Sequence, residues 1–273
     1  MNVGVVGLGF VGGAVSGYFE SYGDTVYGYD IKSGLAINNE YTKIVENCEI
    51  IFVCLPTPRS DDGSCDTSIV HDALCRLDYI AGELKKSPMV LIKSTLVPGT
   101  IKKFVEESHS IRVISNPEFL TERNAAEDYR DSKTVLIGND YGEAEDLALR
   151  LFFRDRWPAA HIYVVSSIEA ELSKYLTNSY FSVKVSVANH IYALCQELGV
   201  DYNKFIESAI GADPRIERTH WTVPGPDGKL GFGGSCFPKD LSGMIHVLEE
   251  NNLPADVFKA AMEYNKKVRD NGS

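Results

Sequence analysis

Several things are missing from this 273-residue chain. No apolar run approaches the roughly 20 residues that cross a bilayer. The amino terminus is not basic and has no small-residue cleavage site; it starts directly with a strand-like run, so the expected compartment is the cytoplasm. Positive charge is in deficit, 27 Lys and Arg against 38 Asp and Glu for a net charge of −11. That balance argues against broad nucleic-acid or anionic-membrane binding, because both need a cationic face. Any anionic ligand must be met by local positive groups. The six cysteines show no CxxC spacing and no clustered histidines, so no metal site is expected. Without an export signal, disulfides are not expected either. There is no internal repeat or low-complexity tract. What remains is ordinary globular material, 44% hydrophobic and 24% charged, long enough for one large or two ordinary domains.

The amino-terminal stretch is the first informative one. Asn2 to Val6 reads as a buried strand, followed by Gly7-Leu8-Gly9-Phe10-Val11-Gly12 and an amphipathic helix through about Tyr22. A second strand, Thr25 to Tyr29, ends at Asp30. GxGxxG alone is a weak signal, but here it follows a strand, opens a helix and has an acid at the end of the next strand. Each part answers a physical need of a bound dinucleotide. The glycines give a tight turn, close approach of backbone to a pyrophosphate at a helix N-terminus, and close helix packing; the carboxylate serves ribose hydroxyls. An acid at Asp30 disfavours a 2′-phosphate, which selects NAD over NADP. The competing reading is a plain βαβ unit with a glycine turn.

Strand and helix patterns keep alternating. Ile50 to Leu55, Met89 to Ser94, Ile111 to Ser115 and Thr134 to Ile137 read as strands; Thr67 to Leu84 and Thr100 to Glu107 read as helices. The alternation predicts an α/β fold with a mainly parallel, doubly wound Rossmann-type sheet over residues 1–165. Ligands bind beyond the carboxyl ends of such strands. The segments expected there are Pro56-Thr57-Pro58, Ser94-Thr95 and Asn116-Pro117-Glu118-Phe119-Leu120, although turn and cap chemistry explains each taken singly. From Ser166 the texture changes. Ser166 and Glu169 have capping-box spacing, and a helical pattern then runs unbroken to Gly199. A helix of ~32 residues spans ~48 Å, more than a sheet needs to be covered. Residues 166–273 are therefore read as a long connecting helix and a smaller all-helical domain, with the final residues, Asp270 to Ser273, as a frayed end or linker. Lys174 and Asn178 share one face near the start of the long helix.

Gly231-Phe-Gly-Gly-Ser-Cys-Phe-Pro-Lys-Asp240 concentrates more chemistry than any other stretch. Pro238 predicts a helix start with Cys236 just before it. A helix N-terminus and a nearby ammonium such as Lys239 both favour thiolate, the nucleophilic form. If the first turn extends back to Cys236, Asp240 falls on the same face, where it can serve a water or a proton at the thiol. A glycine loop with a buried, inert cysteine is the competing reading.

With these motifs together, the chain resembles the UDP-glucose and GDP-mannose dehydrogenases, the nucleotide-sugar 6-dehydrogenase family, from residue 1 to about residue 270. The resemblance implies oxidation of a C6 alcohol to a carboxylate with two NAD, through a thiohemiacetal and a thioester on Cys236. It implies that Lys174 steadies an oxyanion beside Asn178, that Asp240 and Thr95 handle the water, and that Glu118 assists proton transfer. For the cofactor it implies Gly7, Gly9, Phe10, Val11, Gly12 and Asp30, with Lys32 near the adenosine ribose and Thr57, Thr95 and Glu122 near the nicotinamide. For the sugar nucleotide it implies Glu118, Phe119, Leu120, Lys174, Asn178, Gly233 and, from a neighbouring subunit, Arg215. It further implies a homodimer built on the long helix.

The chain departs from the family pattern in three places. Arginine-isoleucine-glycine is Arg215-Ile216-Glu217 here, His220 to Leu230 looks like an added loop, and the chain stops near Glu263-Tyr264-Asn265, where family members usually continue into a C-terminal nucleotide-binding domain. The expectation is a short form of an NAD-dependent nucleotide-sugar dehydrogenase, with UDP-glucose as substrate. Two alternatives stand beside it: a non-catalytic NAD-binding dimerisation module, and a dehydrogenase for another nucleotide sugar or a β-hydroxy acid.

Overall fold

The computed structural model describes residues 1–33 and 37–270, so the expectation for Asn271 to Ser273 lies outside the described residues. The elements in chain order are β1 (Asn2–Val6), α1 (Phe10–Ser21), β2 (Thr25–Tyr29), α2 (Ile37–Asn47), β3 (Ile50–Val53), α3 (Ser68–Leu84), β4 (Met89–Ile92), α4 (Thr100–Glu107), β5 (Arg112–Ser115), α5 (Ala125–Arg130), β6 (Thr134–Gly138), α6 (Glu143–Arg156), β7 (His161–Val165), α7 (Ser167–Leu198), α8 (Tyr202–Ala212), α9 (Phe237–Glu250) and α10 (Asp256–Asp270). They fall into two compact units. One comprises Met1–Pro58 and Asp66–Lys174; the other comprises Arg59–Cys65 and the chain from Tyr175 onward.

The first unit is built on a seven-stranded sheet in the order β2-β1-β3-β4-β5-β6-β7. Its strands are parallel except at β5–β6, which meet antiparallel through Ser115 and Gly138. The strands are apolar on both faces, as a sheet covered by helices on both sides requires. Alternate residues go to opposite cores. Val3, Val5, Ile50, Phe52 and Leu91 pack with Val15, Phe19, Leu149 and Phe153 of α1 and α6. Val6, Ile51, Val53, Val90 and Ile92 pack on the other face with Ile44, Val70, Leu77 and Phe104 of α2, α3 and α4. The doubly wound reading therefore holds.

Sequence patterns assign no element between 143 and 165, and α6 with β7 fills that span. The apolar residues of α6 blur the helical period: Leu149 and Phe153 are buried, while Leu147 and Leu151 point to solvent. Helices α2 and α5 likewise have no counterpart among the sequence expectations, the latter being a single short stretch.

The long helix begins where the capping box predicts. Glu169 Oε2 accepts from the Ser166 backbone N–H at 2.9 Å and from the Ser166 hydroxyl at 2.6 Å. The helix runs 32 residues and stops at Gly199, whose φ of 65° is a helix-ending conformation. In the second unit, α8 is capped by Asp201, which accepts from the Lys204 N–H at 3.1 Å. Phe232, Leu241 and Ala261 form a small core with side chains of α7, α9 and α10. Among the described residues, no helix is long and apolar enough to cross a membrane.

Candidate active site

At the end of β1 the chain turns sharply into α1. Gly7 has φ 87° and donates to the Tyr29 carbonyl at 2.8 Å. A Cβ on Gly12 would lie 1.8 Å from the Gly7 carbonyl oxygen, so only glycine lets the helix sit this close to the turn. A Cβ on Gly9, the N-cap residue of α1, would meet nothing within 4 Å. Among the described residues, the N-cap position gives this helix no side-chain cap bond. The result is a bare helix N-terminus with open space above a glycine, which fits a pyrophosphate. Asp30 accepts from the Leu8 N–H at 2.8 Å and the Lys32 N–H at 2.9 Å. Those backbone donors, Lys32 first, hold its carboxyl below the ordinary carboxylate range, so Asp30 is an anion that both braces the glycine turn and presents acceptors. Lys32 is exposed beside it. Together these residues fit a dinucleotide with unmodified ribose hydroxyls.

The ends of β3 and β4 are stitched together. Ser94 donates to the Leu55 carbonyl at 2.6 Å, and Thr57 donates to the Thr95 carbonyl at 2.8 Å. The Ser94-Thr95 and Pro56-Thr57-Pro58 segments are thus one bonded edge of the sheet. Glu122 is exposed, past the end of the Asn116–Leu120 segment.

Glu118 and Lys174 meet inside the same unit. Lys174 Nζ donates to Glu118 Oε1 at 3.1 Å, with side chains 5% and 7% exposed. Glu118 Oε2 accepts from the Leu120 N–H at 2.6 Å, and the Lys174 ammonium stands 5.6 Å from the Phe119 ring centre. Each Glu118 oxygen therefore has a partner, and the lysine is aimed rather than solvated. A cavity of about 650 Å³ opens beside this segment, walled by Lys93, Glu118, Leu120, Tyr129, Phe153 and Trp157.

The second unit contains the cysteine motif. Cys236 is the N-cap residue of α9 with helical backbone angles, φ −95° and ψ −58°, and its carbonyl accepts from the Asp240 N–H at 2.8 Å. The first turn does extend back to Cys236. Ser235 Oγ lies 3.6 Å from Cys236 Sγ. Asp240 is fully buried. Its Oδ2 accepts from Asn178 Nδ2 at 2.5 Å, and its Oδ1 is paired with the Lys239 ammonium. Lys239 thus pairs with the aspartate in the same first turn that begins at Cys236. Of the free cysteines, Cys54 and Cys48 are held up to about 12 by burial, which keeps them as thiols.

Arg215 is engaged elsewhere: its side chain is 89% exposed and grips Asp213 through Nε and Nη2. Glu217, the position at which the resemblance implies a glycine, has φ 55°, a conformation that favours glycine. The loop expected after it is anchored. Tyr202 donates to the Trp221 carbonyl at 2.7 Å, and just ahead of the loop Lys184 donates to the Ile216 carbonyl at 2.9 Å.

Sequence reasoning missed the residues that hold the site segments. Lys93, 6% exposed, donates to Asn116 Oδ1 at 3.0 Å, and Asn116 donates on to the Leu136 carbonyl at 2.8 Å. Burial brings Lys93 down to about 8. A lysine closing an apolar strand was the available signal. Asn189, Asn265 and Arg269 bind the glycine loop before Cys236, and an asparagine or arginine within a helix gives no such signal in sequence. Among the described residues, no group of three or more His, Cys, Asp or Glu could hold a metal ion.

Two family models match the chain. The NAD binding domain of the UDP-glucose/GDP-mannose dehydrogenase family matches residues 32–154, and the central domain of that family matches residues 168–267. A UDP-glucose 6-dehydrogenase from Rickettsia bellii is 32% identical over 237 residues, covering 85% of this chain and 52% of the relative. The chain thus spans about half the length of that curated relative. The UDP-glucose 6-dehydrogenase AglM of Haloferax volcanii is 29% identical over 97% of this chain and 69% of its own length. A solved UDP-glucose dehydrogenase from Pyrobaculum islandicum superposes with a TM-score of 0.83 at 30% identity, over 97% of this chain and 68% of that one.

Proposed function

Because the chain belongs to the UDP-glucose/GDP-mannose dehydrogenase family, we propose that it is an NAD-dependent nucleotide-sugar 6-dehydrogenase that takes UDP-glucose to the C6 carboxylate. The names of its relatives support UDP-glucose over other nucleotide sugars. One observation carries the chemical reading: Cys236 stands at the N-terminus of α9 with a buried, doubly held aspartate one turn on. A single alcohol oxidation has no use for a thiol. A second oxidation does, because an aldehyde must first become an adduct that can lose hydride.

NAD, when bound, supplies the acceptor for the hydride at each oxidation. The protein's part is to hold it: Gly7, Gly9, Phe10, Val11 and Gly12 form the pyrophosphate turn, and Asp30 with Lys32 takes the adenosine ribose. Thr57, Thr95 and Glu122 are assigned to the nicotinamide end. Glu118, Phe119, Leu120 and Gly233 are assigned to the substrate, together with Arg215 from a second copy.

The Cys236 thiolate adds to the C6 aldehyde, forming a C–S bond as the carbonyl oxygen becomes an oxyanion. Lys174, backed by Asn178, stabilises that oxygen. After the second oxidation the thioester is cleaved by water, whose proton passes to Asp240, with Thr95 positioning the water. Glu118 relays the proton returned to the departing sulfur. The Asn178 and Lys239 contacts hold the Asp240 carboxyl in place.

We also assign the exposed face of α7 to a second copy of the chain. Leu176, Tyr180, Val187, Leu194 and Leu198 recur at one- and two-turn intervals, which puts them on one face, and all are exposed.

The test is stoichiometry. Incubation with NAD and candidate UDP- and GDP-sugars should yield two NADH per UDP-glucose, and Cys236→Ser should stop the reaction at one, with the aldehyde trapped by a hydrazine. One NADH from the parent protein would mark a simple alcohol dehydrogenase. None, with NAD bound, would mark a binding module.

A further inference from the structure

The thiol proposed above follows a loop in which Gly231, Gly233 and Gly234 are three residues of five, and glycine backbone does not hold its own shape. The structure holds it from outside, through the last helix. Asn265 of α10, 5% exposed, grips both polar groups of one residue: its Oδ1 accepts from the Phe232 N–H at 2.7 Å and its Nδ2 donates to the Phe232 carbonyl at 3.0 Å. Arg269, one turn on, donates through Nε to the same carbonyl at 2.8 Å and through Nη2 to Asp227 at 2.8 Å. From α7, Asn189 accepts the Gly231 N–H at 2.9 Å while its amide donates to the Val185 carbonyl at 2.8 Å. The Phe232 side chain is 3% exposed in the helical core.

The glycines match this clamp. Gly231 has φ 73°, and a Cβ there would lie 2.3 Å from Asn265 Oδ1; a Cβ on Gly233 would lie 2.3 Å from Arg269 Nη2. Gly231 is therefore required, by its positive φ and by the short Asn265 side chain of α10, whereas a side chain at Gly233 would displace only the end of the flexible Arg269. The remaining loop, from Gly234 to Ser235, leads directly into Cys236.

We propose that Asn265 and Arg269 are positioning residues for the cysteine: α10 holds Gly231–Gly233 so that the thiol stands at the N-terminus of α9. The inference rests on the reading of Cys236 as the nucleophile of the second oxidation. It gives a specific signature, because the first oxidation does not use the thiol. Weakening the clamp should impair the second step more than the first. Asn265→Asp is the sharpest change, since it keeps the acceptor for the Phe232 N–H but turns a carboxylate oxygen against the Phe232 carbonyl.

Two measurements on the full chain test it. In the first, iodoacetamide alkylation of Cys236 is followed by peptide mapping and divided by that of exposed Cys75 in the same molecules. The ratio should fall about tenfold in Asn265→Asp, because a thiol displaced from the helix N-terminus loses the N–H groups that favour thiolate. In the second, NADH per UDP-glucose should fall from two toward one, with aldehyde trapped, while the initial rate of the first oxidation changes by less than threefold. Arg269→Gln should show the same pattern more weakly, and Arg269→Lys should recover part of it. An unchanged or raised alkylation ratio in folded Asn265→Asp overturns the proposal. If Asn265→Asp does not fold, Arg269→Gln decides, and a parental ratio there overturns it equally. If no nucleotide sugar yields NADH with the parent protein, the function fails, and the alkylation ratio still decides the positioning role.

Discussion

Asn178 and Asp240 are joined by a 2.5 Å hydrogen bond with both side chains out of solvent, 5% and 0% exposed. Neither residue has an alternative in water. A buried carboxylate that loses a charge-assisted donor bears a desolvation cost it cannot recover elsewhere.

Asn178→Asp should therefore cost about 3 kcal/mol or more, since it sets two carboxylates against each other in a dry site. Exchanging the pair, Asn178→Asp with Asp240→Asn, should recover part of that loss, because donor and acceptor trade places while Lys239 is left facing an amide instead of a carboxylate. Urea unfolding of the four proteins measures the coupling. Turnover should not return with stability, as the proposed proton acceptor must stand at position 240. A double variant as active as the parent would remove Asp240 from the chemistry.

Glu171 predicts a pH dependence of folding. It is 3% exposed, and burial raises its carboxyl to about 7, against the pull of the Ile101 and Gly99 N–H groups it accepts at 2.8 and 2.6 Å. Between the unfolded value of 4.5 and about 7 the folded chain keeps a proton that the unfolded chain has released. Stability attributable to this group is thus present at pH 4.5 and is lost as pH rises through 7, by about 3 kcal/mol. Glu171→Gln should flatten that slope. Urea titrations at pH 5 and pH 7.5 give the comparison, and equal slopes in the two proteins would show that Glu171 stays ionised in the fold.

Gly12 and Gly9 separate fold from cofactor. Gly12→Ala forces a methyl to within 1.8 Å of the Gly7 carbonyl and should cost about 2 kcal/mol while weakening NAD at least a hundredfold. Gly9→Ala meets nothing within 4 Å, so stability should be unchanged. Its methyl still projects into the space where the pyrophosphate is expected, so NAD should weaken at least tenfold. Calorimetric titration with NAD measures both; parental affinity in Gly9→Ala would move the pyrophosphate off this turn.

The order of elements was legible in the chain because local rules decide it. The strand-to-helix glycine turn, the capping box of Ser166 and Glu169, the Gly199 stop and the proline at the start of α9 each depend on neighbours within one or two turns. The family motifs marked the candidate chemistry for the same reason, being contiguous. Which buried groups meet was not legible. The Asn178–Asp240 and Lys174–Glu118 bonds join residues from distant stretches, and only folding brings their atoms to bonding distance. The Asn265 clamp was hidden more thoroughly, since an asparagine in a charged helix reads as solvent-facing until the helix is docked. Nor could sequence say that Lys239 would turn to Asp240. The chain's local patterns settled where each turn begins and ends; long-range packing settled which polar groups lost water, and those had to find one another.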